Sequence, residues 1–315
     1  MQKKLISIVT PCFNESDNVV ELHRRIKDSI ASLDLYNFEI IFIDNASTDD
    51  TVQKLKSLAS IDKTVKVIVN TRNFGHIRSP YYGILSSSGA ATIYLASDLQ
   101  DPPEIIPSFI KEWEQGHKLV MAIKPKSEGS KVFHAIRTLY YKFLNSISEV
   151  KLLENSTGFG LYDKVVLDHV RSIKDPYPYL RGTICELGYE IKTIEFIQPQ
   201  RKRGISKNNF YTLYDIAILG IVNHSKIPLR MATIFGFLTG VISLAVAVIY
   251  LMRKLMFWES FGLGISPIII GIFFMFGMLF IFLGILGEYI LVIHTKIQNK
   301  PVVVVKEIVN FESSP

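Results

Sequence analysis

Cysteine is scarce in this chain: Cys12 and Cys185 are the only two among 315 residues. Two thiols cannot build a disulfide scaffold or a cysteine-rich zinc module. Both fall in apolar stretches, where a thiol is expected to act as a small buried hydrophobe. Glycine signatures for phosphate binding are missing too. No G-x-G-x-x-G follows the first apolar run and no G-x-x-x-x-G-K-[ST] occurs, which argues against a dinucleotide dehydrogenase and a P-loop nucleotide hydrolase. The histidines form no cluster at metal-ligand spacing. Charged residues make up only 20% against 48% hydrophobic, with a mean hydropathy of +0.25, and a disordered chain would show the reverse balance. Residues 1–9 hold a short apolar run without a cleavage site, so no signal peptide is expected.

What is present is apolar length. Residues 231–252 and 260–287 run for 22 and 28 positions without a charge. As a helix the first would be about 33 Å long, enough for the roughly 30 Å hydrocarbon core of a bilayer, and the second can span with tilt. Soluble core helices seldom stay apolar on every face for so long. Transmembrane helices are therefore expected at 231–253 and 264–293. Net charge follows the same partition. Residues 1–200 hold 24 basic and 24 acidic side chains, whereas residues 201–230 hold six basic ones (Arg201, Lys202, Arg203, Lys207, Lys226, Arg230) against Asp215 alone. A basic block beside an apolar run suits an anionic cytoplasmic leaflet, at about 1 kcal/mol per cation near the surface. Its position argues against a nucleic-acid partner. By the positive-inside rule it puts residues 1–200 in the cytoplasm, and two spans return an exposed tail, 294–315, to the same side. Residues 209–225 mix apolar side chains with Tyr211, Tyr214, Asp215 and His224, and read as an amphipathic interfacial helix. The expected setting is the inner (plasma) membrane, multi-pass, with both termini cytoplasmic. A homo-oligomer is compatible with two helices per chain, whose glycine pattern fixes no number of copies.

Residues 1–200 alternate between two periods. Apolar runs at 5–10, 38–43, 65–69, 91–96 and 118–123 read as strands. Helices are expected from residue 16 to about 30, with Val19, Val20, Leu22, Ile26 and Ile30 on one side, and at 50–59, 76–88 and 104–115. This β-α-β-α order predicts an α/β domain whose mostly parallel sheet is covered on both faces. In such sheets ligands bind beyond the carboxyl ends of the strands. That rule selects four loops: 11–17, 44–50, 71–76 and 97–101. Asp44 follows its strand directly, where its carboxylate can accept hydrogen bonds from a base or ribose, or serve a turn. Asp98 and Asp101 follow the fourth strand, where carboxylates suit a divalent cation that in turn holds phosphates. Asp101 is the better candidate for a cap on the following helix. Asp163 and Asp168 read as solvated, helix-associated positions.

The four loops carry Pro11-Cys12-Phe13-Asn14-Glu15, then Ile43-Asp44-Asn45-Ala46-Ser47-Thr48-Asp49-Asp50-Thr51, then Arg72-Asn73-Phe74-Gly75-His76, then Ser97-Asp98-Leu99-Gln100-Asp101-Pro102-Pro103-Glu104. Together these resemble the family 2 glycosyltransferases of the GT-A, Rossmann-like fold, and among them the polyisoprenyl-phosphate (dolichol-phosphate mannose synthase-like) group. Arg201-Lys202-Arg203-Gly204-Ile205-Ser206-Lys207 is similar to that group's R-x-x-G-x-S-K segment. Leu283-Gly284-Ile285-Leu286-Gly287-Glu288-Tyr289-Ile290 resembles its bacterial members with two C-terminal spans. The resemblance implies transfer of a sugar from a nucleotide-diphosphate sugar, with UDP-glucose leading, to a polyisoprenyl phosphate such as undecaprenyl phosphate. It implies that Pro11, Glu15, Asp44 and Asn73 line the nucleotide-sugar pocket, with Ser97, Asp98 and Gln100 at the diphosphate and sugar. It implies further that Asp98 holds Mg2+ or Mn2+ and that Arg201, Arg203 and Lys207 meet the lipid phosphate, so that Asp98, Arg201 and Lys207 carry the catalysis. Two segments depart from the family pattern. Ala96 stands at the first position of the usual D-x-D, and Asn155-Ser156-Thr157-Gly158-Phe159-Gly160-Leu161 occupies the place of D-x-G-D-F-R-L. A cation site lacking those groups would be weaker, or completed by Asp101 or water.

The missing carboxylates do not by themselves abolish transfer. An alcohol acceptor needs a general base, but a phosphate monoester, with its second pKa near ~6, is already largely ionised at pH 7. It needs alignment and neutralisation of its charge, and direct attack would invert the anomeric centre. Two other readings compete. A processive polysaccharide synthase would carry Q-x-x-R-W, but here Gln198-Pro199-Gln200-Arg201 is followed by Lys202. A catalytically impaired nucleotide-sugar-binding membrane protein is the other, motivated by Ala96 and Gly158.

Overall fold

Alternation along the strands decides which side chains each face of the sheet buries. Ile6, Ile8, Ile40, Phe42, Val67 and Ile93 turn to one face, and Val9, Ile41, Ile43 and Ile68 to the other. The computed structural model describes residues 3–124, 153, 156–173, 175, 178–199, 222, 225–256, 265–298 and 300–311. Within them the order is β1 (Lys4–Cys12), α1 (Val19–Ile30), β2 (Tyr36–Asp44), α2 (Thr51–Ile61), β3 (Val65–Asn70), α3 (Gly75–Leu85) and β4 (Ala91–Tyr94). A 3-10 turn (Pro103–Ile105) then leads into α4 (Ile106–Glu114), followed by β5 (Leu119–Ile123), β6 (Ser156–Asp163), α5 (Lys164–Ile173), α6 (Leu180–Glu186) and β7 (Ile191–Glu195). Two long helices, α7 (Ile227–Met256) and α8 (Ile265–Ile297), precede the last strand, β8 (Val305–Val309).

The eight strands form one sheet in the order β7-β5-β6-β4-β1-β2-β3-β8. Pairs β1·β2, β1·β4, β2·β3 and β5·β7 are parallel, so the sheet is parallel-dominated but mixed. Helices α1, α2 and α4 cover one face through residues such as Leu22, Ile26, Leu55 and Phe109. Helices α3, α5 and α6 cover the other through Ile84, Val166, Leu167 and Ile184. The chain leaves β1 for β2 on one side and β4 lies on the other, so a topological switch point falls between β1 and β4.

Three features differ from the sequence reading. First, β6, which is not among the expected strands, lies between β4 and β5 and runs antiparallel to both. Its sequence, STGFGLYD, interrupts strand formers with two glycines, which weaken a strand, and tertiary contacts hold it. Gly160 shows why: a Cβ there would collide with the Val120 carbonyl oxygen and sit 2.9 Å from the Met121 sulfur. Second, Asp163 is not solvated. It is 5% exposed and accepts hydrogen bonds from Trp113 Nε1 at 2.7 Å and Val165 N at 2.9 Å, with Lys118 Nζ at 3.3 Å. Third, the segment expected as an exposed tail returns to the sheet. β8 pairs antiparallel with β3 and covers an otherwise open edge. Asn310 Nδ2 donates to the carbonyls of Ala59 at 2.7 Å and Val65 at 2.9 Å, and Lys56 pairs with Glu307 at 2.7 Å.

Helices α7 and α8 lie side by side and antiparallel. The Tyr289 hydroxyl near the end of α8 donates to the Ser225 carbonyl, 2.7 Å away, just before α7. A Cβ on Gly236 would stand 3.6 Å from the Phe282 ring. Two spans are expected from the sequence; among the described residues one stretch, Phe274–Ile297, is long and apolar enough to cross a membrane, and Ile227–Ile242 is a shorter apolar segment of the 30-residue α7. Phe237 and Ile242 on α7 and Phe274 and Phe280 on α8 are all exposed, an apolar surface that water does not favour.

At the amino ends of the strands, away from the four selected loops, a buried carboxylate joins three elements. Glu39 on β2 accepts from Ser7 Oγ, from Ser88 N and Oγ at 2.9 Å each, and from Lys66 Nζ at 2.6 Å. Burial alone would raise its pKa; the Lys66, Ser7 and Ser88 bonds outweigh it and hold the carboxyl below its usual range. A depressed carboxylate contributes stability above its unfolded pKa of about 4.3 and loses it as pH falls through the folded value. Glu39→Gln is expected to cost about 1–2 kcal/mol at pH 7. Thermal melts across pH check this: the gap between wild type and variant should close below about pH 4.

Candidate functional site

The carboxyl ends of β4, β1, β2 and β3 lie side by side, so the four loops selected from the sequence form one continuous rim. Side chains brace them to one another. Asn14 N donates to Ser47 Oγ at 2.9 Å, and Asn14 Oδ1 accepts from Thr48 N at 2.8 Å. Glu15 N donates to Thr51 Oγ1 at 2.9 Å and Ser16 N to Asp49 Oδ2 at 3.2 Å. Asn45 joins the second loop to the third: its Nδ2 donates to Asn73 Oδ1 at 2.9 Å and to the Gly75 carbonyl at 3.1 Å, and its Oδ1 accepts from Phe74 N at 2.8 Å. Ser97 Oγ donates to the Pro11 carbonyl at 2.7 Å, a bond that spans the switch point between β1 and β4.

Backbone strain collects on the same rim. Asn14, Ala46 and Leu99 hold φ of 56°, 61° and 61°, one in each of the loops after β1, β2 and β4. A side chain in the left-handed region costs of order 1 kcal/mol or more and persists only where its surroundings over-determine it. Three such residues at the carboxyl edge mark a surface shaped for something other than stability.

The expected site residues fall into three groups. Pro11, Glu15, Asp98 and Gln100 are half-buried on the rim, and Asn73 is exposed there. Asp44 and Ser97 stand at the same edge but are buried, 0% and 4% exposed. Asp44 serves the turn: its Oδ2 accepts from Ser47 N at 2.9 Å and its Oδ1 from Ser47 Oγ. Burial raises its pKa despite those bonds. Arg201, Arg203 and Lys207 lie outside the described residues, as does Asn155.

Asp98 and Asp101 do different work. Asp98 Oδ1 accepts from Gln100 N at 3.2 Å, closing the turn that Leu99 occupies with positive φ. Asp101, expected as a helix cap, points back instead: its Oδ2 accepts from Ala96 N at 3.0 Å, and no side chain caps the following 3-10 turn. Burial pushes its carboxyl up to about 6, partly offset by the Ala96 amide. Asp101 thus pins the loop, leaving Asp98 as the half-buried carboxylate of the pair. Among the described residues no three of His, Cys, Asp and Glu gather as a metal cage. One hard carboxylate does suit a Mg2+ or Mn2+ ion that takes its other ligands from a bound diphosphate and water.

Beside the rim, a cavity of about 90 Å³ opens between α3, β4, β6 and α6, with His76, Tyr94, Thr157, Tyr179 and Arg181 in its lining. The sequence reading passed over this cavity. His76, Thr157 and Gly158 of its lining fall in motifs the sequence shows, whereas Arg181, beside the Pro178-Tyr179 pair, belongs to none of them.

A profile described as glycosyl transferase family 2 matches residues 7–171. CsbB of Bacillus subtilis (strain 168), which bears a glycosyltransferase name, is 32% identical over 310 residues, 98% of this chain and 93% of its own length. The SfII prophage-derived bactoprenol glucosyl transferase of Shigella flexneri is 31% identical over 303 residues, 96% of this chain and 97% of its own. Among solved structures, the mannosyltransferase PcManGT from Pyrobaculum calidifontis, in complex with GDP-Man and Mn2+, aligns with a TM-score of 0.45 at 15% identity, over 64% of this chain and 59% of that one.

Proposed function

The chain belongs to glycosyl transferase family 2, and on that premise we propose that it moves a hexose from a nucleotide-diphosphate sugar, UDP-glucose in the first instance, to a polyisoprenyl phosphate at the inner face of the membrane. The observation that carries this reading is the end-to-end match with a relative named bactoprenol glucosyl transferase, which extends through the two long helices as well as the sheet. Loops 11–17, 44–50, 71–76 and 97–101 take the nucleoside and diphosphate, with Pro11, Glu15, Asn73 and Gln100 as the contacting groups. Asp44 acts from behind, by holding the Ser47 turn. A divalent cation on Asp98 would neutralise the departing diphosphate. Arg201, Arg203 and Lys207 are proposed to meet the lipid phosphate and the anionic headgroups.

The transfer balances without a base. An oxygen lone pair of the phosphate monoester forms the new bond to the anomeric carbon. The bond from that carbon to the diphosphate oxygen breaks, and its electron pair leaves with the nucleoside diphosphate. The acceptor enters ionised, so no proton has to be removed. Direct displacement inverts, and an α-linked donor should give a β-linked lipid.

Two antiparallel membrane crossings, α7 and α8, are part of the proposal, with the sheet and β8 in the cytoplasm. The test is an assay in membranes with radiolabelled nucleotide sugars and undecaprenyl phosphate. Organic-extractable label, absent without the lipid phosphate and greatest with UDP-glucose, is the expected result. Polymeric label would identify a synthase, and nucleotide binding without product would identify an inactive binder.

A further inference from the structure

The cavity between α3 and α6 sets Arg181 and His76 among mostly aromatic and aliphatic side chains. Arg181, half-buried on α6, uses one of its N–H groups on the Ser156 carbonyl at 3.0 Å, and its guanidinium carbon lies 6.0 Å from the Tyr179 ring centre. Among the described residues no carboxylate stands within ion-pair distance of it. A half-buried cation held by one neutral carbonyl, with four further N–H groups to satisfy, is set up for an anion. His76 supplies a second nitrogen-bearing side chain on the cavity wall. The cavity, about 90 Å³, has room for a phosphate group.

Two contacts tie this cavity to the sites on either side. His76 directly follows the loop that Asn45 braces through Asn73, Phe74 and Gly75, so one wall is continuous with the rim. The opposite wall includes Pro178, Tyr179 and Leu180. Asp175, just ahead of them, lies 3.5 Å from Lys296 in the last turn of the apolar helix α8. The segment that supplies Pro178, Tyr179 and Leu180 to the cavity therefore follows, within three residues, a contact with the end of a helix whose apolar residues are exposed.

We propose that Arg181, with His76 beside it, seats the phosphate monoester of the lipid acceptor, with the prenyl chain left outside along α8. The inference rests on the proposed function and adds to it a binding group within the described residues. Arg181 aligns the attacking oxygen and offsets its charge against the donor diphosphate. Arginine suits this task because its planar fork meets two phosphate oxygens at once.

The test uses the full chain in lipid nanodiscs with undecaprenyl phosphate and UDP-glucose. Arg181→Gln is expected to raise the acceptor KM at least tenfold while the donor KM stays within twofold, and Arg181→Lys should recover part of the loss. An unchanged acceptor KM, or an equal rise in donor KM, overturns the assignment. Should the Gln variant fail to fold, the wild type still decides. Modification of Arg181 by phenylglyoxal, followed by peptide mass spectrometry, should be slowed by farnesyl phosphate and not by farnesol. Inorganic phosphate should protect only at far higher concentration. Protection by UDP alone, or by none of these, overturns the assignment. If wild-type protein glycosylates no prenyl phosphate, the proposed function falls; if it does so and Arg181 proves indifferent, only this inference falls.

Discussion

Asp98→Asn is expected to lower turnover at least tenfold at fixed Mg2+ and to raise the Mg2+ concentration needed for half-maximal turnover. The substitution removes one unit of negative charge and leaves the side chain nearly the same size. Asparagine keeps a carbonyl oxygen for the Gln100 amide, so the turn around Leu99 should survive. What is lost is a hard anionic oxygen on the rim, and neutral amides are poor partners for a divalent cation. The loss should be large because Asp101, the nearest alternative, is buried and committed to Ala96 N. Ala96 itself offers no carboxylate. Turnover in the glucosyl-lipid assay, titrated with Mg2+, checks this; unchanged turnover across the titration would place the cation elsewhere. Asp101→Asn makes the comparison: it should lower thermal stability more than it shifts the Mg2+ requirement.

Much of the sheet was legible because its strands are apolar runs that stop abruptly at polar loops. β1 to β5 each lie within two residues or so of the expected bounds, and helix α1 buries Val19, Leu22, Ile26 and Ile30 as expected but leaves Val20, expected on the same side, 49% exposed, because it lies about 100° around the helix from Val19. The rim followed from that order alone. Its bracing did not. Asn14, Asn45 and Ser97 act on loops 28 to 86 positions away in sequence, and no local pattern announces such partners. Asp44 was legible as an edge residue, but whether it faces a ligand or its own turn depends on where Ser47 folds. β6 was missed because two glycines and a serine mask its strand character, and Gly160 is required by the backbone of β5. Arg181 was missed for a different reason: a single cation on a short helix carries no motif, and only the cavity gives it meaning.

Removing residues 301–315 is expected to do more damage than the loss of a tail, and the reason also bears on membrane topology. The missing segment would take β8, both Asn310 bonds, the Lys56–Glu307 pair and the Phe311 ring that lies 5.0 Å from Lys66 Nζ. The surface ion pair counts for little. The ladder bonds and the burial of Val303 together support an estimate of about 2–4 kcal/mol, or roughly 5–15 °C in Tm, with an open β3 edge prone to aggregate. The same strand constrains the path of the chain. β1 to β7 and β8 share one sheet, so the chain between residues 199 and 305 crosses any membrane an even number of times. If α8 crosses, an antiparallel partner must bring the chain there, and α7 lies beside it in that sense. In a Cys185→Ser background, a membrane-impermeant maleimide added to intact cells should therefore label Ser260→Cys and spare Lys306→Cys, with the pattern reversed in inside-out vesicles. Labelling of both from one side would mean that the helix pair lies on the membrane without crossing it, while the sheet closed by β8 would stand unchanged.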